Sequence, residues 1–456
     1  MRIVLLTRRF GGEVTATTTR LRAYLTALGD EGAEVTVLTR FPFVYRGRTP
    51  DPRHAGRLYF REHIDGARVI RIRIPGEQMR VKPFLDRALR RWTRMRGEPA
   101  ASVLSADLLD VLYGLLAIPF IAVVRPRAIV IEQGPAFLGV PVSIFARLGI
   151  PIVLQVSDVK SLLMERKRYG EAPQNQIRMN RRVEEVLYRR AASVITVTES
   201  MQSDIARRLG RPSGDIHLIP NGAELAAIGP ADPAGKADCK RRLGLDGKFV
   251  AIYAGSFSGP HDLTTLLEAA RQLRTVPDVA FLLMGAGPLE RELAQTAKSG
   301  GLDNVLFYPG VPVSELSPYL GAADVGLSTE IAGSQDNIPS KVYLYMAGRL
   351  PVVVTDDTGE TRALVTRARS GLLIPPGDAS AISEKLLELK RQPDLAMTLG
   401  NNGRRFVEAF HDRSQLARNF AHLVLQAGGH PAYAGRRSVE RRLRELRQAP
   451  YPPQDE

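Results

Sequence analysis

Short runs of β-branched and other apolar residues recur along the chain, each followed by a stretch with helical spacing. In the first half they fall at residues 3–6, 35–38, 69–74, 129–131, 152–156, 194–197 and 216–219. Most are apolar without alternation, as strands covered on both faces of a parallel sheet should be. Residues 68–74 differ, because Arg alternates there with Val or Ile, and this predicts an edge strand. After Pro220-Asn221-Gly222 the pattern lapses through residues 226–240, where Gly229, Pro230, Pro233 and Gly235 crowd together. It restarts at 249–253 and continues at 280–284, 305–308, 325–327, 352–354 and 371–374, with one helical pattern between successive runs. Serial βα units predict parallel sheets. The lapse predicts a boundary between an α/β domain over 1–222 and a second over 247–410, with a linker over 223–246.

Two segments stand outside this rhythm. Residues 111–124 are apolar throughout but hold Gly114 and Pro119. A spanning helix needs about 20 apolar residues, so a buried helix is expected, with a membrane-grazing one as the alternative. Residues 436–447 carry six Arg with Val439, Leu443 and Leu446 between them, which suits either an amphipathic surface helix or a solvated tail over 436–456.

Composition adds bounds. At 456 residues the chain exceeds a single ordinary core, which stops growing near about 250–300 residues. With 44% hydrophobic and 24% charged residues it matches neither a disordered chain nor a membrane bundle. The run at 3–6 is too short for a signal-peptide apolar region, and a lone Cys239 excludes an internal disulfide; both lead to the expectation of a cytoplasmic protein. The net charge is +15, and residues 1–100 hold 20 Arg and 1 Lys against 10 Asp and Glu. Such a field attracts anionic headgroups or phosphorylated substrates, so an anionic membrane at the inner face is a candidate partner through the N-terminal domain and tail. Nucleic acid is not expected, because the early aromatic residues form no repeating platform among the arginines.

Phosphate binding in a βα unit requires small residues between strand and helix, so that backbone N–H groups reach the anion. Three loops qualify: Gly11-Gly12, then Gly255-Ser256-Phe257-Ser258-Gly259-Pro260-His261, then Gly285-Ala286-Gly287-Pro288. None is G-x-G-x-x-G or a P-loop, which weighs against nicotinamide enzymes and ATPases. Their serial order after parallel strands is the stronger signal, since such loops gather at one sheet edge. A fourth place is Asp336-Asn337-Ile338-Pro339-Ser340-Lys341, where Ser340 is expected to cap a helix. Lys341 in the first turn opposes the helix dipole, a conflict that a bound anion resolves.

These residues carry a family resemblance. Tyr253-Ala254-Gly255-Ser256, Met284-Gly285-Ala286-Gly287-Pro288, Ala323-Asp324-Val325-Gly326-Leu327, Pro339-Ser340-Lys341-Val342-Tyr343, and in the first half Ser157-Asp158, Thr198-Glu199-Ser200 and Pro220-Asn221-Gly222, resemble glycosyltransferase family 4. The likeness spans nearly the whole chain and is greatest to the bacterial branch typified by L-fucosamine transferase-like proteins. It implies a GT-B fold: two Rossmann-like parallel-sheet domains with a ligand cleft between them, and a C-terminal helix over 411–435 crossing back to the first. It further implies acceptor binding by the N-terminal domain and donor binding by the C-terminal one.

Carried onto this chain, the donor set is Gly11, Gly12, Gly255, Ser256, Phe257, Gly259, His261, Gly285, Gly287, Val311, Asn337, Ser340, Lys341 and Leu344. Lys341, Asp336, Glu132 and Asp158 are the catalytic candidates; the last two end strands of the first domain and orient the acceptor, act as base, or simply cap. The donor expected is a UDP-, dTDP- or GDP-sugar, with no further cofactor. The acceptor is a glycan, a lipid-linked sugar or a small metabolite. Two departures stand out. The family's pair of glutamates falls on Asp336 and Leu344, and leucine cannot accept a hydrogen bond from ribose, which brings a 2′-deoxy donor into play. The family's Arg and Lys are missing from 256–261, leaving Lys341 and backbone dipoles to balance the diphosphate.

No D-x-D pair occurs, so a metal-bridged diphosphate is not expected, and the resemblance implies retention of anomeric configuration. No G-x-S-x-G elbow or H-x-x-E-H supports a hydrolase. The alternatives are a sugar-nucleotide epimerase and an inactive partner subunit.

Overall fold

The computed structural model describes residues 1–10, 16–41, 57–74, 98–133, 136–165, 172–229, 233–333, 338–356 and 359–433. Gly11, Gly12, Asp336, Asn337 and the tail lie outside the described residues. Among the described residues the chain divides into two compact units, one built on Met1–Pro220 and completed by residues 417–433, the other spanning Asn221–Leu416.

The N-terminal unit holds an eight-stranded sheet of β1 (Arg2–Leu6), β2 (Glu34–Arg40), β3 (Tyr59–Ile64), β4 (Ala67–Ile72), β5 (Ala128–Gln133), β6 (Ile152–Val156), β7 (Ser193–Thr196) and β8 (His217–Leu218). Its order is β3-β4-β2-β1-β5-β6-β7-β8, and only the β3–β4 pair is antiparallel. The expected edge strand is therefore second from the edge. β3 covers it through a tight hairpin whose Asp65 and Gly66 both take positive φ, the conformation that matches strand twist. The cover explains why Arg71 tolerates 5% exposure: it pairs with Glu62 on the neighbouring strand.

The helix Glu98–Val124 lies on this unit. It is not the fully buried helix expected: Tyr113, Ala117 and Ile121 are enclosed, while Leu115 and Val123 are exposed. The helix Arg413–Ala427 contributes Phe420, stacked on Tyr24 at 3.7 Å.

The C-terminal unit holds β9 (Phe249–Ser256), β10 (Val279–Ala286), β11 (Val305–Pro309), β12 (Val325–Ser328), β13 (Val352–Thr355) and β14 (Gly371–Ile374). All pairs are parallel, in the order β11-β10-β9-β12-β13-β14. The sequence winds one way from β9 to β11 and the other way from β12, which creates a switch point between β9 and β12. The stretch expected as a linker contains the helix Pro233–Arg242 and belongs to this unit. Lys236 and Lys240 hold Asp324 at 2.8 and 2.6 Å, and Asp324 in turn accepts the Val250 N–H. That helix is charged on nearly every face, so it shows no apolar periodicity to read.

Candidate active site

At the β9/β12 switch point the structure assembles a buried polar cluster. Tyr253 comes from β9, His261 from the loop after it, Glu330 from just beyond β12, and Lys341 from the helix Ser340–Ala347. Lys341 Nζ donates to Glu330 Oε1 at 3.0 Å and to the Tyr253 hydroxyl at 3.3 Å, and sits 4.4 Å from the centre of the Tyr253 ring. His261 Nδ1 lies 2.7 Å from Glu330 Oε2 and 3.4 Å from Lys341 Nζ. The shorter contact places the Nδ1 proton toward the carboxylate.

Burial by itself would push the Glu330 carboxyl up, but the Lys341 ammonium and the His261 contact outweigh it and hold the group below its usual value. Burial, reinforced by Glu330, raises the Tyr253 phenol well above its ordinary range. The ring therefore stays neutral, donating to the Ser256 carbonyl at 2.9 Å while accepting from Lys341.

Local folding explains why these groups meet. Asp262 N and Ile331 N donate to Thr329 O and Pro260 O, pinning the His261 loop to the strand that ends before Glu330. Asp262 caps the helix Leu263–Gln272 by accepting from Thr265 N. Tyr345, one helical turn beyond Lys341, donates to Leu327 O at 3.1 Å and accepts from Ala254 N at 2.8 Å, so it seats the Lys341 helix on both strands. A Cβ at Gly326 would lie 2.3 Å from the Tyr345 ring, which is why that strand position is glycine.

The other expected donor residues divide. A Cβ at Gly285 would meet Gly255 O at 1.8 Å, and one at Gly287 would meet Phe257 O at 2.2 Å. Close packing of the two loops thus accounts for these glycines without any ligand. The Phe257 side chain is 1% exposed, in the core, so of that residue only the backbone is left to the expected donor set. Ser340 also departs from expectation, since Pro339 occupies the N-cap position with no side-chain cap and Ser340 is the first helical residue. Ser256 and Gly259 are exposed in the loop, Val311 packs half-buried on the core, and Leu344 joins the same core cluster.

In the N-terminal unit Glu132 occupies the corresponding β1/β5 switch point. It accepts from Thr7 Oγ1 at 3.3 Å and Ser157 Oγ at 3.1 Å, with Arg20 Nη2 at 3.4 Å. Burial raises this carboxyl against the pull of Arg20, and the charge of half-buried Asp158 raises it further. Elsewhere in this unit Asp110 binds Arg8 at 2.7 Å and Arg40 at 3.0 Å, and Asp107 pairs with Lys160.

Two doubly wound parallel sheets, each with a polar cluster at its switch point, define the GT-B class. Residues 15–222 match the glycosyl transferase 4-like domain and residues 236–406 match glycosyl transferases group 1, together most of the chain. The chain belongs to glycosyltransferase family 4. It is similar to alpha-D-kanosaminyltransferase of Streptomyces kanamyceticus, 22% identical over 256 residues, which are 56% of this chain and 65% of that one. It is also similar to the GDP-mannose-dependent alpha-(1-6)-phosphatidylinositol monomannoside mannosyltransferase of Mycolicibacterium smegmatis, 28% identical over 219 residues, 47% of this chain and 57% of that one. These matches span less than two thirds of either relative's length. The solved structure of Anabaena Alr3699/HepE in complex with UDP shares the fold, with TM-score 0.64 and 17% identity over 93% of this chain and 100% of that one.

Proposed function

We propose that the protein transfers a sugar from a nucleoside-diphosphate sugar to an acceptor hydroxyl or amine in bacterial surface-glycan or secondary-metabolite synthesis. The observation that carries this reading is Lys341: a lysine 5% exposed, in the first turn of a helix, fixed by Glu330 and Tyr253 at the switch point of a parallel sheet. Ligands of such sheets bind there, and a cation at that place meets the charge of a diphosphate. As the bond to the leaving group breaks, negative charge grows on the phosphate oxygen, and a pre-positioned ammonium stabilises it more in the transition state than in the ground state. Glu330 and His261 act on Lys341 by fixing its position; neither is a metal ligand in this reading.

The absence of a D-x-D pair from the sequence supports a metal-independent route, and the family resemblance supports retention by same-face attack. The donor is a UDP-, dTDP- or GDP-sugar. HepE was solved with UDP, and the mycobacterial relative is GDP-mannose-dependent. On the acceptor side we assign orientation to Glu132, with Asp158 beside it. Within the family we place the chain in the L-fucosamine transferase-like branch, on the resemblance of its motifs along nearly the whole length.

The test is release of nucleoside diphosphate in the presence of acceptor. Lys341→Ala should lower the rate by about 100-fold or more, the scale of losing one charge-stabilising donor. Unchanged turnover in that variant removes the role assigned to Lys341.

A further inference from the structure

The helix Glu98–Val124 presents a solvent face that no soluble surface helix should have. A helix lying on a domain normally turns a polar face outward. Over Asp107–Val124 the mean hydropathy is 2.0, yet only 33% of the window is buried. Residues 111–124 contain no charged side chain at all.

The helix cannot cross a bilayer, because its other face is fixed to the unit. Asp110 is held by Arg8 and Arg40, the Tyr113 hydroxyl donates to Thr7 O at 3.1 Å, and Ala117 and Ile121 are fully enclosed. At 100° per residue, Leu108, Leu115, Pro119, Ala122 and Val123 fall on the opposite side, and all five are exposed. The result is an apolar shelf about 23 Å long, from Leu108 to Val123.

Neighbouring elements extend the shelf. Tyr59, 44% exposed, packs edge-on against Phe120 and lies beside Leu58. On the other flank the Leu138–Pro141 turn closes over Gly114, and beyond it Val140, Ile144 and Leu148 are exposed. Arginines belong to the same elements: Arg57 and Arg61 with Leu58 and Tyr59, Arg125 and Arg127 after the helix, Arg147 beside Leu148, all exposed.

We propose that this face docks the protein on an anionic lipid bilayer, with the helix lying in the interface plane. An apolar strip, a Tyr and a cationic surround are the chemistry of interfacial attachment. A second copy of the chain is a poorer occupant, since an isologous pairing would bring two arginine-rich surrounds together. The proposal goes beyond the transferase reading, and its test needs no turnover.

The full chain is floated with vesicles of phosphatidylcholine and phosphatidylglycerol in a 3:2 ratio, and with phosphatidylcholine alone. Binding is expected on the anionic vesicles. Leu115→Asp with Val123→Asp should weaken it by at least about tenfold while leaving the melting temperature unchanged, because both side chains already face solvent. Arg125→Glu with Arg147→Glu should reduce binding chiefly on the anionic vesicles. Failure of the natural chain to float overturns the proposal. So does flotation that the Leu115/Val123 variant leaves intact, or a dimer in sedimentation equilibrium that the same variant dissolves.

Discussion

Replacing Lys341 by Met tests whether the switch-point cluster is held by charge. The substitution keeps most of the apolar stem and removes the ammonium from a carboxylate that is itself 5% exposed. Breaking a buried pair by deleting one partner costs about 3–5 kcal/mol, and the His261 contact at 2.7 Å argues for the lower end. The pH dependence carries more information than the loss itself. In the natural protein Glu330 titrates below its usual value, so its contribution is present above that usual value and is lost as pH falls through the folded-state value. In Lys341→Met the strongest opposing charge is gone and burial dominates, raising the carboxyl. The stability gap should therefore be wide at pH 8 and narrow toward pH 5. Urea unfolding followed by far-ultraviolet circular dichroism measures it; the single tryptophan, Trp92, leaves emission silent on the C-terminal unit. Adding Glu330→Leu should recover about 1–3 kcal/mol as coupling energy. An equal loss at both pH values, or a double variant no better than the single one, refutes the reasoning.

Three further outcomes follow from the same unit. Burial lowers the His411 imidazole from 6.5 to about 4, so stability should fall by about 3 kcal/mol as pH drops between those values, and His411→Gln should flatten that slope in urea titrations run every half pH unit. Gly285→Ala should destabilise by about 2–3 kcal/mol because its Cβ would overlap the Gly255 carbonyl, whereas Gly259→Ala, with open space around it, should stay within about 0.5 kcal/mol; equal melting curves for the two would be incompatible with the packing. At the position proposed to face the ribose Leu344 offers no acceptor, so dTDP should raise the melting temperature more than UDP, toward the roughly 2.7 kcal/mol expected at 100 times the dissociation constant. Leu344→Glu should reverse that order, and UDP preferred by the natural chain would end the idea.

The frame was legible because buried parallel strands are written as unbroken apolar runs. The runs at 249–253 and 280–284 fall inside β9 and β10, and the loops after them do pack at one sheet edge. What stayed hidden was whatever carried charge. β3 reads Tyr-Phe-Arg-Glu-His-Ile, with no apolar run, and is a strand because Glu62 and its neighbours pair with β4. Pro233–Arg242 is a helix because its lysines reach Asp324, a partner 84 residues from Lys240. The site was half legible for the same reason. A lysine against a helix dipole pointed to Lys341, but the carboxylate that holds it sits outside any motif. Thr329-Glu330, a polar pair directly after a buried parallel strand, was the signal available for it. The glycine loops are ambiguous in the other direction: Gly285 and Gly287 satisfy backbone packing, a demand that leaves the same mark on a sequence as a phosphate does.

The two switch points put the same residue type to opposite uses, and the difference lies in what surrounds each glutamate. Glu330 meets an ammonium at 3.0 Å on one oxygen and the His261 imidazole at 2.7 Å on the other, so the pair stays charged and Lys341 is held rigid. Glu132 meets two hydroxyls and a more distant guanidinium at 3.4 Å, and burial wins, shifting it toward the neutral acid. A fixed ion pair next to a helix terminus is suited to an anion, because an incoming phosphate can share the ammonium without reorganising the site. A carboxyl that ionises reluctantly, ringed by Thr7 and Ser157, is suited to hydrogen-bonding a polyhydroxyl partner, where a full negative charge would cost more to bury than it returns. The balance of burial and charge at these two carboxylates supports the division of labour proposed for the two domains, anionic donor on one and sugar-like acceptor on the other.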